Sequence, residues 1–111
     1  MKYKLIKNDT KKLLDGTVLY RIVALIDFST IHSTVRKGDK GGYIEKEDNL
    51  SQSDSDLAWV SGNACVFGDA RVYGNASVYG NARVFGDARV YGNTWVFGDA
   101  RVSEKISENK S

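Results

Sequence analysis

The sequence is poor in the residues that most active sites use. Among 111 residues there is one cysteine, Cys65, and one histidine, His32. A lone cysteine excludes an intrachain disulfide and cannot hold a zinc ion by itself. No apolar run is long enough to span a bilayer. The N-terminus, Met1-Lys2-Tyr3-Lys4-Leu5-Ile6, passes at once into polar residues and lacks the apolar stretch of a signal peptide. The expected location is therefore cytoplasmic, with no membrane partner. Excess charge is missing too, since the formal net charge is only +2. Residues 1–57 carry ten basic and nine acidic side chains, and residues 58–103 carry four Arg and three Asp. Neither half is a basic domain, so nucleic acid is not favoured as a partner. The length suits one domain with a modest core.

What the sequence has in quantity is a six-residue period. From Val60 it reads V-S-G-N-A-C, V-F-G-D-A-R, V-Y-G-N-A-S, V-Y-G-N-A-R, V-F-G-D-A-R, V-Y-G-N-T-W, V-F-G-D-A-R, and then Val102. Val, Gly and an Asn or Asp keep their places without a slip. Ala fills the fifth place, with Thr94 as the one substitute. Ala-x-Val reads as a short strand whose side chains alternate. Ala and Val then share the inner side, and Arg and the aromatics share the outer side. Gly followed by Asn or Asp reads as a corner, because both residue types tolerate left-handed backbone. Short strands joined by such corners make a polygonal coil. A helix would not accept Gly every six residues.

This pattern, over residues 58–103, resembles the hexapeptide-repeat family. The resemblance implies a mainly β fold: a left-handed parallel β-helix, a triangular solenoid with three hexads per turn. Handedness and triangular section come from the resemblance, and spacing alone gives strand and corner. The Phe or Tyr after each aliphatic departs from the usual family pattern, where small or acidic residues are common.

The rest of the chain reads as a small N-terminal β-rich cap, residues 1–50. Tyr3–Ile6 and Thr17–Phe28 read as strands, with Asp15-Gly16 as a turn. Asp9–Leu14 fits either a loop or one helical turn. Lys37–Gly42 reads as tight turns, since its glycines match no phosphate-loop spacing. Ile44 and Leu50 are six apart and suit the aliphatic positions of an irregular first coil. Ten residues then separate Leu50 from Val60, so residues 51–57 read as a polar loop, and residues 104–111 as a polar tail. The residues Gly38, Asp39, Gly41, Gly42, Tyr43, Ile44, Glu45, Asn49, Leu50 and Ser51, ahead of the hexads, resemble short phage and prophage proteins of unassigned function. That resemblance implies a bacterial host cell and gives no activity.

Many hexapeptide-repeat proteins are acyltransferases, which need a base, usually His, in a groove between subunits. Here His32 lies outside the hexads, and Cys65 has no neighbouring cation in sequence to lower its pKa. Glu45, Glu47 and Asp48 read as a solvated acidic loop. Asp69, Asp87 and Asp99 read as corner formers that bond their own turns rather than as metal ligands. The expectation is a protein that is not an enzyme and has no cofactor, no metal and no catalytic residue. A small or degenerate acyltransferase is the alternative.

Stacking by 18 residues sorts the outer side chains onto three faces. The first carries Cys65, Phe67, Arg83, Phe85, Arg101 and Ser103. The second carries Arg71, Tyr73, Arg89 and Tyr91. The third carries Trp59, Ser61, Ser77, Tyr79, Trp95 and Phe97. Eight of the twelve aromatic residues lie in the repeat, all at outer positions. Stacked rings stabilise neighbouring coils, but a large apolar face usually has a partner. Trp, Tyr and Arg also carry most interface energy. The expected binding residues are Trp59, Tyr79, Trp95 and Phe97 first, then Arg71, Tyr73, Arg89 and Tyr91. The expected partner is another protein, or self as a dimer or trimer. Single-stranded nucleic acid is a weaker option. The reading is a non-enzymatic solenoid module of phage or prophage type that binds protein. Counter-defence, as an anti-CRISPR-like inhibitor of a host complex, is compatible with the kind of family alone. A structural homo-oligomer subunit is a further alternative.

Overall fold

Each hexad folds as a two-residue strand and a corner, and the corner is set by Gly. The computed structural model describes residues 1–30, 33–53 and 55–106. The strands of the repeat are β6 (Trp59–Val60), β7 (Cys65–Val66), β8 (Arg71–Val72), β9 (Ser77–Val78), β10 (Arg83–Val84), β11 (Arg89–Val90), β12 (Trp95–Val96) and β13 (Arg101–Val102). They pair in parallel at a spacing of 18 residues: Val66 lies on Val84 and Val84 on Val102. Val60 lies on Val78 and Val78 on Val96, with Val72 on Val90. Two of the resulting sheets are three-stranded, so the coil makes about three turns. The chain is thus mainly β and forms a solenoid.

Gly68, Gly74, Gly80, Gly86 and Gly98 all have φ between +64° and +70°. The residue after the corner closes the turn, as when the Ala70 N–H donates to the Phe67 carbonyl. Glycine with positive φ at the second place of such a turn is the type II′ pattern. The following Asn or Asp does not share the left-handed backbone, because every described positive φ belongs to Gly. Its N–H donates instead to the Gly carbonyl of the next coil, as Asn75 does to Gly92 at 3.0 Å. Asn75 Nδ2 also donates to Asn93 Oδ1 at 3.1 Å. The inward Ala and Val side chains are buried, and Val60, Val66, Val78, Val84, Val90 and Val96 are fully so. Each such Val contributes roughly 1.5–3 kcal/mol by leaving water.

The N-terminal region extends the coil rather than standing beside it. β1 (Tyr3–Lys12) and β2 (Val18–Ala24) form a hairpin, β3 (Phe28–Ser29) and β4 (Thr34–Val35) a second small one, and β5 (Lys40–Ile44) follows. β5 is antiparallel to β2 and parallel to β7, so one six-stranded sheet runs β1-β2-β5-β7-β10-β13. Asp9–Lys12 is strand rather than loop or helix, because the chain bulges between Ile6 and Thr10 and then resumes pairing with β2. Gly41 and Gly42 are strand residues, not turn residues. A Cβ at Gly41 would lie 2.5 Å from the Val60 carbonyl oxygen, and one at Gly42 2.7 Å from that of Ala64.

Ile44 lies on Val66 and Leu50 bridges Val72, both 22 residues apart rather than 18. The first coil therefore exists and carries four extra residues. The segment after Leu50 docks on the N-terminus: Gln52 Oε1 accepts from the Lys2 and Tyr3 N–H groups, and Gln52 Nε2 donates to the Tyr3 carbonyl. At the other end β14 (Lys105–Ile106) pairs with β11. None of the described helices is long and apolar enough to cross a membrane.

Candidate functional site

The three outer faces are built alike but are not equally open. On each, the residue after Val stacks on its counterpart one coil away. Phe67 and Phe85 lie 5.6 Å apart with planes 13° from parallel, Tyr73 and Tyr91 5.4 Å and 10°, and Tyr79 and Phe97 5.6 Å and 12°. Part of each ring's apolar surface is therefore spent within the chain.

The first face is partly covered by the β1–β2 hairpin. Arg21 lies over the Tyr43 ring at 4.5 Å and Lys11 over the same ring at 5.6 Å. Cys65, paired in register with Tyr43, is fully buried. Burial pushes its thiol pKa up, against the opposite pull of Lys11 and Arg83. Those cations reach it only through the fold.

The third face was the leading expectation, and one of its members does not lie on the open surface. Trp59 is 5% exposed. The N-terminal region covers it: Phe28 meets its ring edge-on at 5.2 Å and Tyr3 at 6.3 Å. Trp59 is thus part of the buried cluster and cannot serve as an exposed contact. Tyr79, Trp95 and Phe97 are each half-buried. Thr30, Ser33, Trp59, Ser61, Ser77 and Tyr79 line a groove of about 220 Å³ on this face. His32, the one histidine, lies outside the described residues.

The second face is the open one. Arg71, Tyr73, Leu50, Val72 and Arg89 line a cleft of about 560 Å³ with Glu47, Asp48, Ser51 and Gln52 on its other side. Arg71 and Tyr73 are exposed. A 3-10 turn, Glu47–Asn49, presents the two acids. Asn49 fixes that turn: its buried Oδ1 accepts from the Glu45 and Lys46 N–H groups, and its Nδ2 donates to the Gly68 and Ala70 carbonyls. The single Tyr3 O–H lies within reach of both the Leu50 and Glu47 carbonyls and is shared between them. Glu47 and Asp48 thus face Arg71 and Arg89 across one cleft, and among the described residues no ion pair joins them. Arg89 only reaches the Asp69 carbonyl, at 3.4 Å.

The acidic group was legible in sequence as a cluster, but its place beside the Arg column was not. The available signal was the six-residue step from Ile44 to Leu50, which sets Asn49 one coil below Arg71. Glu45 is separate from the pair, since its Oε1 accepts from the Gly68 N–H at 2.9 Å. Asp69 pairs with Lys46 at 3.4 Å rather than with its own turn. Among the described residues no group of three or more His, Cys, Asp or Glu is placed to share a metal ion.

Residues 66–82, 76–92 and 82–98 each match a family model described as the YdcK beta solenoid repeat. The matched segment is less than a third of the chain and lies wholly within the coil. It agrees with the repeat-built β-helix read from the hexads. No curated protein matches the chain.

Proposed function

We propose that this chain is a non-enzymatic protein-binding module whose working surface is the second face, the cleft of Arg71, Tyr73, Arg89, Glu47 and Asp48. One observation carries the reading: four charges of both signs line one cleft without an ion pair among them. A protein segment bearing a carboxylate and a cation would meet both walls at once. Tyr73 offers an exposed aromatic edge beside them. Such Arg and Tyr contacts rank high among residues that carry binding energy, and opposite charges across an interface fix register and partner choice. The cleft is also too mixed in sign to suit a phosphate backbone, which calls for several unopposed cations.

This order of faces reverses the one expected from the aromatic count, because Trp59 is spent inside the molecule. The two faces are separable by experiment. Capture partners from the bacterial host with the wild-type chain, then repeat with Arg71→Glu and with Trp95→Arg. Loss of a specific partner with Arg71→Glu but not with Trp95→Arg supports the second face. The opposite pattern would move the site to the third face. Counter-defence against a host complex enters only as the class of partner to look for, from the resemblance to phage and prophage proteins.

A further inference from the structure

We infer that Asn49 is the positioning residue of the second face. Its side chain replaces two backbone donors, which lets residues 44–50 leave the regular coil and hold Glu47 and Asp48 outward for a cationic side chain of the partner. The inference rests on the second face being the working surface. The regular coils set the comparison. At each inner corner the Asn or Asp N–H donates to the Gly carbonyl of the next coil. The outward residue two places on donates to the carbonyl at the Ala place. Asp69 gives to Gly86 and Arg71 to Ala88, and Asn81 gives to Gly98 and Arg83 to Ala100, each at 2.9 Å. One coil earlier the equivalent acceptors are the Gly68 and Ala70 carbonyls. By the 22-residue offset of that coil, their donors would be the N–H groups of Glu47 and Asn49.

The Asn49 side chain meets both acceptors instead. Its Nδ2 donates to the Gly68 carbonyl at 3.2 Å and to that of Ala70 at 2.9 Å. The Asn49 N–H, freed from the coil, closes the 3-10 turn on the Lys46 carbonyl at 3.0 Å. Oδ1 turns back to the Glu45 and Lys46 N–H groups, at 3.1 Å and 2.9 Å. A primary amide has two N–H donors and one acceptor oxygen, and here every one of them is used. Asn49 is fully buried, so it touches no partner and acts through the two acids beside it.

The residues of this hexad explain why it leaves the repeat. Lys46 stands at the Gly place with φ of −154°, so the left-handed Gly corner is not made. Asp48 stands at the Ala place, which the regular coils bury, and an unpaired carboxylate is costly there. The turn exchanges two side chains. Asp48 goes out to water beside Glu47, and Asn49, at the place where Arg71 points outward, goes in. The Gly68 and Ala70 carbonyls keep a donor throughout. Two adjacent carboxylates are thus fixed on a buried network, facing Arg71 and Arg89 without an ion pair to them. Acids held ready in this way suit a cation brought by the partner, because little ordering is left for binding to do.

The test is NMR spectroscopy of the full chain. Asn49→Asp keeps the acceptor and removes both donors. It should lower the exchange protection of the N–H groups of residue 49 and Leu50, which close the turn, and leave that of Arg83 and Phe85 in the inner coils unchanged. An equal loss at all four would make Asn49 a general stabiliser and overturn the inference. Capped arginine, added at constant ionic strength, should shift the Glu47 and Asp48 resonances of wild type and bind at least severalfold more weakly to Asn49→Asp. The triple change Lys46→Gly, Asp48→Ala and Asn49→Arg writes the repeat's own residues into this hexad. That variant should fold and lose the response at Glu47, and it decides the matter if Asn49→Asp does not fold. If the triple variant does not fold, the turn serves the coil rather than display, and the inference falls. A response that survives either variant unchanged also overturns it. Capped glutamate separates this inference from the second-face reading. Shifts at Arg71 with capped glutamate, but none at Glu47 and Asp48 with capped arginine, sink the role of Asn49 alone. No shift with either probe removes the reading and the inference together.

Discussion

The carbonyls at the start of a β-coil have no strand beneath them, and here Lys2 and Tyr3 take them. Both side chains are buried. Lys2 is held by the Asp56 and Ala58 carbonyls and lies 4.9 Å from the Phe28 ring centre. Tyr3 carries its proton to unusually high pH, because burial first, and then the Glu47 and Asp48 charges, disfavour the phenolate. An acid whose pKa is raised in the folded state stabilises the fold below its unfolded value. That contribution is lost as pH rises past it. Urea unfolding should therefore show stability falling above the ordinary tyrosine value of 10.0. The fall should be shallower in Tyr3→Phe, which has no proton to lose. Equal slopes for the two proteins would exclude Tyr3 as the alkaline trigger.

At the scale of the element, the corner decides. Gly80 and Gly92 occupy equivalent corners, with φ of +70° and +69°. A Cβ at Gly80 would meet the Gly98 nitrogen at 3.0 Å, whereas at Gly92 nothing described lies within 4 Å. Both alanine variants meet the backbone strain of positive φ, about 1–3 kcal/mol. Only Gly80→Ala adds a collision with the next coil. Thermal melts should rank wild type above Gly92→Ala and Gly92→Ala above Gly80→Ala. Equal melting temperatures for the two variants would show that the close stacking of corners contributes nothing.

For the whole molecule, one buried cluster runs from Tyr3 through Ile22, Ile44 and Trp59 to Val102. The hairpin, the first irregular coil and the regular coils share it. A coil of Val and Ala this short has few large side chains, and Tyr3, Ile22, Ile44, Leu50 and Trp59 supply them at its N-terminal end. Cap and coil should therefore unfold together. Far-ultraviolet circular dichroism and tryptophan fluorescence should give one coincident transition, since Trp59 sits in the shared core and Trp95 in the last coil. Two separated transitions would mean that the coil stands without its cap.

By itself the sequence determined the coil. A period of six with Val inward and Gly at each corner reads as strand and turn, and three hexads per turn came from the resemblance to the hexapeptide-repeat family; the structure pairs the strands at that 18-residue spacing. Ile44 and Leu50 as first-coil positions were legible for the same reason. The tertiary structure alone decided which outer face is open. Trp59 and Trp95 hold equivalent places in the repeat, yet only Trp59 is buried, because Phe28 and Tyr3 arrive from distant sequence. Glu47 and Asp48 meet the Arg71 column because Asn49 bonds the Gly68 and Ala70 carbonyls one coil away. Periodicity records a side chain's direction from its own strand; what lies over that side chain depends on where the non-repeating segment folds back.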